Sequence, residues 1–247
     1  VGQGDAHDHA VEVLWIDLER STADNLRAHG FPPVHGRFEA KGWPIAGTVD
    51  DLVWNAHFGT AGQVADVEVA ETPFARGDGQ LAHMGAISTT TAPHTGRSPN
   101  DRFVVRDALT EEPVDWGKVN VPISTEHFQA LRSDIISYLN GRDLFVRDAR
   151  AGADEAYGLS VRVVSESPWH SLFAYNMFLR LTPDELENAV PDFTVLHAPH
   201  LKADPVRHGT RSETAIVVNF KAREVLVCGT RYAGEIKKSI FSVLNHM

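Results

Sequence analysis

Residues 213–247 read ETAIVVNFKAREVLVCGTRYAGEIKKSIFSVLNHM, and this stretch decides the fold class. ETAIVVNF (213–220) and EVLVCGT (224–230) are apolar, β-branched runs of strand length. Only Lys221, Ala222 and Arg223 separate them, which predicts a hairpin. Gly229 and Gly234 then bracket a turn, and Ile236, Ile240, Val243 and Leu244 recur at helical spacing. A hairpin thus feeds a closing helix, with Lys237 and Lys238 side by side in what reads as its first turn.

Working upstream, DFTVLHAP (192–199), LSVRVVSE (159–166), DLFVRD (143–148), RFVVRD (102–107) and HMGAISTT (83–90) read as strands. ARAGADEAYG (149–158) reads as a turn-rich connection. STEHFQALRSDIISYLNG (124–141) predicts an amphipathic helix with Phe128, Leu131, Ile135 and Leu139 on one face. Ser124 or Thr125 caps that helix and Asn140-Gly141 ends it. SPWHSLFAYNMFL (167–179) reads as a helix, with Pro168 tolerated only at its start. Thr182-Pro183-Asp184-Glu185 carries the signature of a helix start with a capping box. Helices mixed with strands that include a hairpin predict an α/β domain, α+β in character, whose mixed β-sheet is flanked by helices. Residues 1–80 are less regular. VEVLWIDL (11–18) reads as a strand or a short helix, and the Pro/Gly-rich AHGFPPVHGRFEAKGWPIAG (28–47) as loop.

A chain of 247 residues with 43% apolar and 23% charged residues has the composition of a globular protein with a substantial core. No apolar run approaches the roughly 20 residues of a membrane span. The N-terminus lacks the pattern of a secretory signal, and the absence of an initiator Met reads as processing or trimming. The net charge of −10 argues against general binding of nucleic acid or anionic membranes. It leaves room for a small anionic ligand, because a Debye length of about 8 Å lets a local basic cluster outweigh distant acids. Cys228 stands alone, so no internal disulfide forms, which is compatible with a reducing cytoplasm. The thirteen histidines form no metal-binding pattern, and His7 and His9 read as a solvated terminus rather than a metal site.

Two places carry chemistry. In TGRSPND (95–101), between two strands, Gly96 permits unusual backbone angles and Pro99 stiffens the loop. The guanidinium of Arg97 offers a planar fork of donors to a carboxylate or phosphate, although composition by itself favours a plain polar connection. The second place is the lysine pair. As a surface feature, both lysines would snorkel from an exposed helix end, countered by Glu235. As a functional feature, the positive helix terminus favours a neutral amine, whose lone pair can bind a metal. Neutralising a lysine at pH 7 costs about 4.6 kcal/mol, and the helix end supplies about 0.3–1 kcal/mol. Desolvation, neighbouring cations and the metal itself must supply the remainder.

HTGRSPNDRFVVRD (94–107) together with GTRYAGEIKKSIFSVLN (229–245) closely resembles the N-terminal domain of ATP-dependent phosphoenolpyruvate carboxykinases. GRDLFVRDARAGAD (141–154), LSVRVVSESPWHSLFAYNMFLR (159–180) and PDFTVLHAP (191–199) extend the resemblance in the same order over residues 81–247. LVWNAHF (52–58) is a possible upstream extension, with residues 1–80 packing on the domain. The resemblance implies a cytoplasmic enzyme of gluconeogenesis or anaplerosis that converts oxaloacetate and ATP to phosphoenolpyruvate, CO2 and ADP with Mn2+ and Mg2+. It further implies that Arg97 grips the carboxylate of the organic acid, Tyr232 orients substrate or CO2, Lys237 meets the transferring phosphoryl group, and Lys238 is a neutral amine ligand of Mn2+.

The sequence departs from the family in one large respect. No G-x-x-x-x-G-K-[ST] phosphate loop occurs, since the single Gly117-Lys118 pair precedes Val119, and His246 lies too near Lys238 to serve as the family's further metal ligand. The expectation is a substrate-side half, without the nucleotide-binding C-terminal domain, that does not turn over alone. Asn100 and Arg102, where the family commonly has lysines, read as changes that merely keep the loop polar. A non-catalytic module that holds a dicarboxylate or phosphorylated acid through Arg97 and Tyr232, or a structural domain with a dead site, stands as the alternative. A phosphate loop in the downstream coding sequence would favour the enzyme.

Overall fold

The computed structural model describes residues 87–140, 142–154, 156–182, 185–186 and 189–246, together with the backbone of three short upstream strands. His7, His9, Leu52–Phe58, Gly141, Pro183 and Asp184 lie outside the described residues. The strands are β1 (Val11–Leu14), β2 (Phe38–Glu39), β3 (Gln80–Leu81), β4 (Ile87–Thr90), β5 (Arg102–Val105), β6 (Val121–Ile123), β7 (Asp143–Ala151), β8 (Leu159–Ser165), β9 (Phe193–Ala198), β10 (Ala215–Asn219) and β11 (Glu224–Cys228). The helices are α1 (Thr125–Leu139), α2 (Pro168–Met177), the single turn α3 (Pro205–His208) and α4 (Gly234–Leu244).

Eight strands form one mixed sheet in the order β2-β7-β8-β9-β11-β10-β5-β6. The predicted hairpin is its centre: β10 and β11 pair antiparallel from Ala215↔Cys228 to Asn219↔Glu224. Parallel neighbours flank the hairpin, β9 against β11 and β5 against β10. These central strands are apolar on both faces because both faces are covered. Side chains alternate along a strand, so Leu226 and Cys228 pack with Phe128, Leu131, Ile135 and Leu139 of α1. Val225 and Val227 face the opposite way, against Ile236, Ile240 and Val243 of α4 and Ala174 of α2.

Helices α1 and α2 begin where the sequence directs. Ser124 caps α1, its Oγ accepting the His127 N–H at 3.2 Å. Pro168 occupies the first position of α2, where its missing N–H costs nothing. At 182–185 the expected reciprocal cap forms, with the Thr182 N–H donating to Glu185 Oε2 at 2.7 Å and the Glu185 N–H to Thr182 Oγ1 at 3.4 Å.

Other elements depart from the sequence reading or resolve an alternative that it left open. β7 runs to Ala151, past the predicted turn start, because it pairs with β8 through Ala151↔Leu159. Its small alternating residues Ala149 and Ala151 satisfy burial without looking like a strand. Within the Pro/Gly-rich stretch, Phe38–Glu39 adds an edge strand beside Leu144 and Asp143. Val11–Leu14 takes the strand alternative, pairing with β4 in a separate three-stranded sheet. No helix among the described residues is long and apolar enough to cross a membrane.

Candidate active site

The turn after β11 is where the sheet hands the chain to α4. Gly229 has φ +71°, and a Cβ there would lie 2.3 Å from the Glu213 carbonyl oxygen, so glycine alone fits the crossing. Arg231, Tyr232 and Ala233 follow, and Gly234 opens α4. A Cβ on Gly234 would stand 2.5 Å from Cε1 of Tyr232, so the missing side chain is what lets the half-buried tyrosine ring lie over the start of the helix. The carbonyl of Arg231 accepts from Nε2 of buried His170 on α2 at 3.1 Å, which fixes the turn from behind. His170 therefore carries its proton on Nε2, and Nδ1 accepts from the Ser167 hydroxyl at 2.9 Å. Burial first, and then the neighbouring His197 ring at 4.1 Å, hold His170 well below its ordinary pKa of 6.5, so it is a neutral strut.

Lys237 and Lys238 are the fourth and fifth residues of α4 rather than members of its opening positions, which Gly234, Glu235 and Ile236 fill. Lys237 is exposed. Lys238 is half-buried, with Nζ 4.5 Å from the centroid of the Phe241 ring. Its pKa is lowered from 10.5, first by desolvation and then by the positive charges of Arg102 and Arg97. Burial and neighbouring cations thus carry the shift.

The arginine loop closes against this helix. Pro99–Asp101 form a 3-10 turn that leads into β5. The Ser98 N–H donates to Glu235 Oε1 at 2.5 Å. Arg97 itself is exposed, and its charge acts on Glu235 as well as on Lys238. The structure therefore brings Arg97, Tyr232 and Lys238 to one end of α4, while Lys237 lies next along the helix toward solvent.

Two residues in this arrangement have roles the sequence did not disclose. Glu235 reads as a surface counter-charge, yet it is fully buried, and burial raises its pKa from 4.5 against the opposing pull of Ser98, Arg102, Arg97 and His94. Arg102 reads as a neutral exchange for lysine, yet it is packed along α4 with Nη2 donating to Ser242 Oγ at 2.9 Å. Desolvation lowers its pKa, and its charge reaches both Glu235 and Lys238. The helical phase of Glu235, one residue before Ile236 in the buried stripe, is the only sequence signal that hints at its inward direction.

Chemically, the arrangement presents an exposed guanidinium, a phenol and an amine with a lowered pKa around one helix start, a setting suited to an organic anion. As a metal ligand, Lys238 offers the right kind of donor but a single one. Among the described residues no group of three or more His, Cys, Asp or Glu side chains converges to hold an ion.

Comparison with known proteins shows the family. The model of the phosphoenolpyruvate carboxykinase family matches residues 61–247, beginning upstream of residue 81 and after Leu52–Phe58. The phosphoenolpyruvate carboxykinase (ATP) of Thermus thermophilus is 52% identical over 183 residues, covering 72% of this chain and 35% of that protein. Proteins of the same name from Bacillus velezensis and Bacillus subtilis are 50% and 48% identical over 181 residues, each covering 73% of this chain and 34% of the relative. The chain thus spans about a third of the length of the curated relatives it matches. With three-quarters of its residues inside the family model, and the arginine loop seated on the lysine-bearing helix, this chain belongs to the phosphoenolpyruvate carboxykinase family.

Proposed function

We propose that the chain is the substrate-side part of an ATP-dependent phosphoenolpyruvate carboxykinase, the enzyme that converts oxaloacetate and ATP to phosphoenolpyruvate, CO2 and ADP. The Ser98–Glu235 hydrogen bond carries this reading, because it sets Arg97 at the same helix end as Lys238 and Tyr232. Residues 81–247 form the substrate-side domain, and a nucleotide-binding domain completes the site. The complete enzyme works in the cytoplasm, in gluconeogenesis or anaplerosis.

Arg97 grips the carboxylate of oxaloacetate or phosphoenolpyruvate through its fork of N–H donors. The Tyr232 phenol hydrogen-bonds the acid or the CO2 that leaves it. Lys237, exposed beside them, meets the phosphoryl oxygens. Loss of CO2 leaves an enolate, and cations fixed in place before the reaction stabilise that charge without reorganising. Positioning and charge neutralisation are also what phosphoryl transfer to the enolate oxygen requires. A divalent cation, Mn2+ or Mg2+, supplies Lewis-acid stabilisation when bound. Among the described residues Lys238 is the single candidate ligand, its lowered pKa favouring the lone pair, with the other ligands and the ATP contacts supplied from outside the described residues.

Calorimetric titration of the chain with oxalate, a planar dianion in which one carboxylate matches that of the enolate and the other stands in for its C–O−, tests the reading. Arg97→Ala should weaken oxalate binding by at least about ten-fold, the scale of a charge-assisted hydrogen bond. Equal affinity in the variant would overturn the role of Arg97.

A further inference from the structure

The arginine loop and the lysine helix come from residues more than a hundred positions apart in the sequence, and something must hold them in register. Glu235 is fully buried at the second position of α4. Oε1 accepts the Ser98 N–H, while Oε2 is buried without a hydrogen-bond partner among the described residues. A buried carboxylate with one unpaired oxygen is costly for stability. A structural salt bridge would have satisfied it better, as Glu224 is satisfied by the two-pronged grip of Arg132 at 2.6 and 2.9 Å.

The bond to Ser98 is one link of a longer chain. The Thr214 hydroxyl donates to the Gly229 carbonyl at 2.9 Å, so its oxygen must accept from Nε2–H of His94 at 2.9 Å. With the proton on Nε2, Nδ1 of His94 accepts from the Ser98 hydroxyl at 3.0 Å. The circuit therefore runs from Glu235 to Ser98, His94, Thr214 and Gly229, and back along the backbone through Tyr232 to Glu235. Both flanks of Arg97 are held, on Ser98 by its N–H and on His94 by its ring. One anchor, Glu235, lies on the segment that carries Tyr232 and Lys238, and the other, Thr214, is tied to the start of that segment through the Gly229 carbonyl.

We infer that Glu235 is a positioning residue for the organic-acid site. Through Ser98 it latches the Arg97 loop onto the start of α4, and the His94–Thr214 link braces the same loop against the turn before Tyr232. The inference rests on the proposed function for the identity of the ligand, while the latch itself is a property of the fold. Its chemistry is specific. The position needs a hydrogen-bond acceptor reaching the Ser98 amide, so Glu235→Gln preserves the latch and Glu235→Ala removes it.

Amide hydrogen exchange and oxalate titration on the same samples test this. In Glu235→Ala the Ser98 amide should exchange at least about ten-fold faster, the scale of losing a hydrogen bond to a charged acceptor. Amides of the β10–β11 hairpin should keep their protection, and oxalate affinity should fall by a similar factor. Glu235→Gln should restore both. Should Glu235→Ala fail to fold, Thr214→Val cuts the brace at its other end, and a loss of oxalate affinity with the hairpin intact is expected there. Unchanged Ser98 exchange in a folded Glu235→Ala protein would overturn the latch. Faster exchange with unchanged oxalate affinity would overturn the positioning role and leave Glu235 a structural residue. If the unmodified chain binds no oxalate, the proposed ligand fails, and the exchange measurement still decides the latch.

Discussion

At Lys238 three influences converge on one amine: partial burial, the charge of Arg102 and the charge of Arg97. The helix terminus, strongest over the first turn, fades at the fifth position. Arg102 is the part of this environment that can be removed without touching the loop that carries Arg97. Arg102→Gln should move the Lys238 pKa upward toward 10.5, followed by side-chain NMR of the lysine through a pH titration. An unmoved or lowered value would show that Arg102 does not tune the amine. The lysine pair and the loop arginine are visible in the sequence as residues with a chemistry. Arg102 is not, since only the packing of β5 beside α4 brings it within reach of Lys238.

At the scale of elements, local sequence rules determine helix ends well. Ser124 satisfies an orphan N–H at the start of α1, and Ser124→Ala should destabilise the protein by about 1 kcal/mol in denaturant unfolding. A change in denaturation midpoint too small to measure would show that water replaces the cap. Between elements, the contact of the arginine loop with α4 makes stability depend on pH. The folded-state pKa of Glu235 lies above its ordinary 4.5, so the folded protein holds the proton longer than the unfolded chain does. The associated stability is present below pH 4.5 and is lost as pH rises through the raised value. The groups facing Glu235 are His94 and Arg97 from the loop and Arg102 from β5, all of which pull the other way and are outweighed by burial. Glu235→Gln carries no such proton. Its melting temperature should therefore gain on that of the parent protein as pH rises from about 4.5 toward neutrality. A difference constant with pH would sink this assignment.

Across the whole molecule, the mixed sheet covered on both faces is a platform, and the groups proposed to bind an anion stand at one end of one of its helices. Two-pronged ion pairs fasten the platform: Arg132 of α1 on Glu224 at the start of β11, and Arg162 of β8 on Asp148 of β7 at 2.7 and 2.9 Å. Nothing on this platform supplies a phosphate loop, and the chain spans about a third of the relatives' length. Pure chain given oxaloacetate, ATP and Mn2+ should yield no phosphoenolpyruvate in a coupled assay, and measurable product would show that it holds a complete site. The sequence by itself determined most of the strands and helices, the β10–β11 hairpin and which side chains have the chemistry to meet an anion. These follow from the 2- and 3.6-residue periodicities, the caps and the chemistry of single side chains, all of which are local. Only the tertiary structure decided that Glu235 turns inward to take the Ser98 amide, that Arg102 and Arg97 act on Lys238, and that His170 braces the Tyr232 turn. Those facts depend on which distant segments the sheet order makes neighbours, and on burial, which changes the energy of a charge without leaving a mark in the residue's own neighbourhood of sequence.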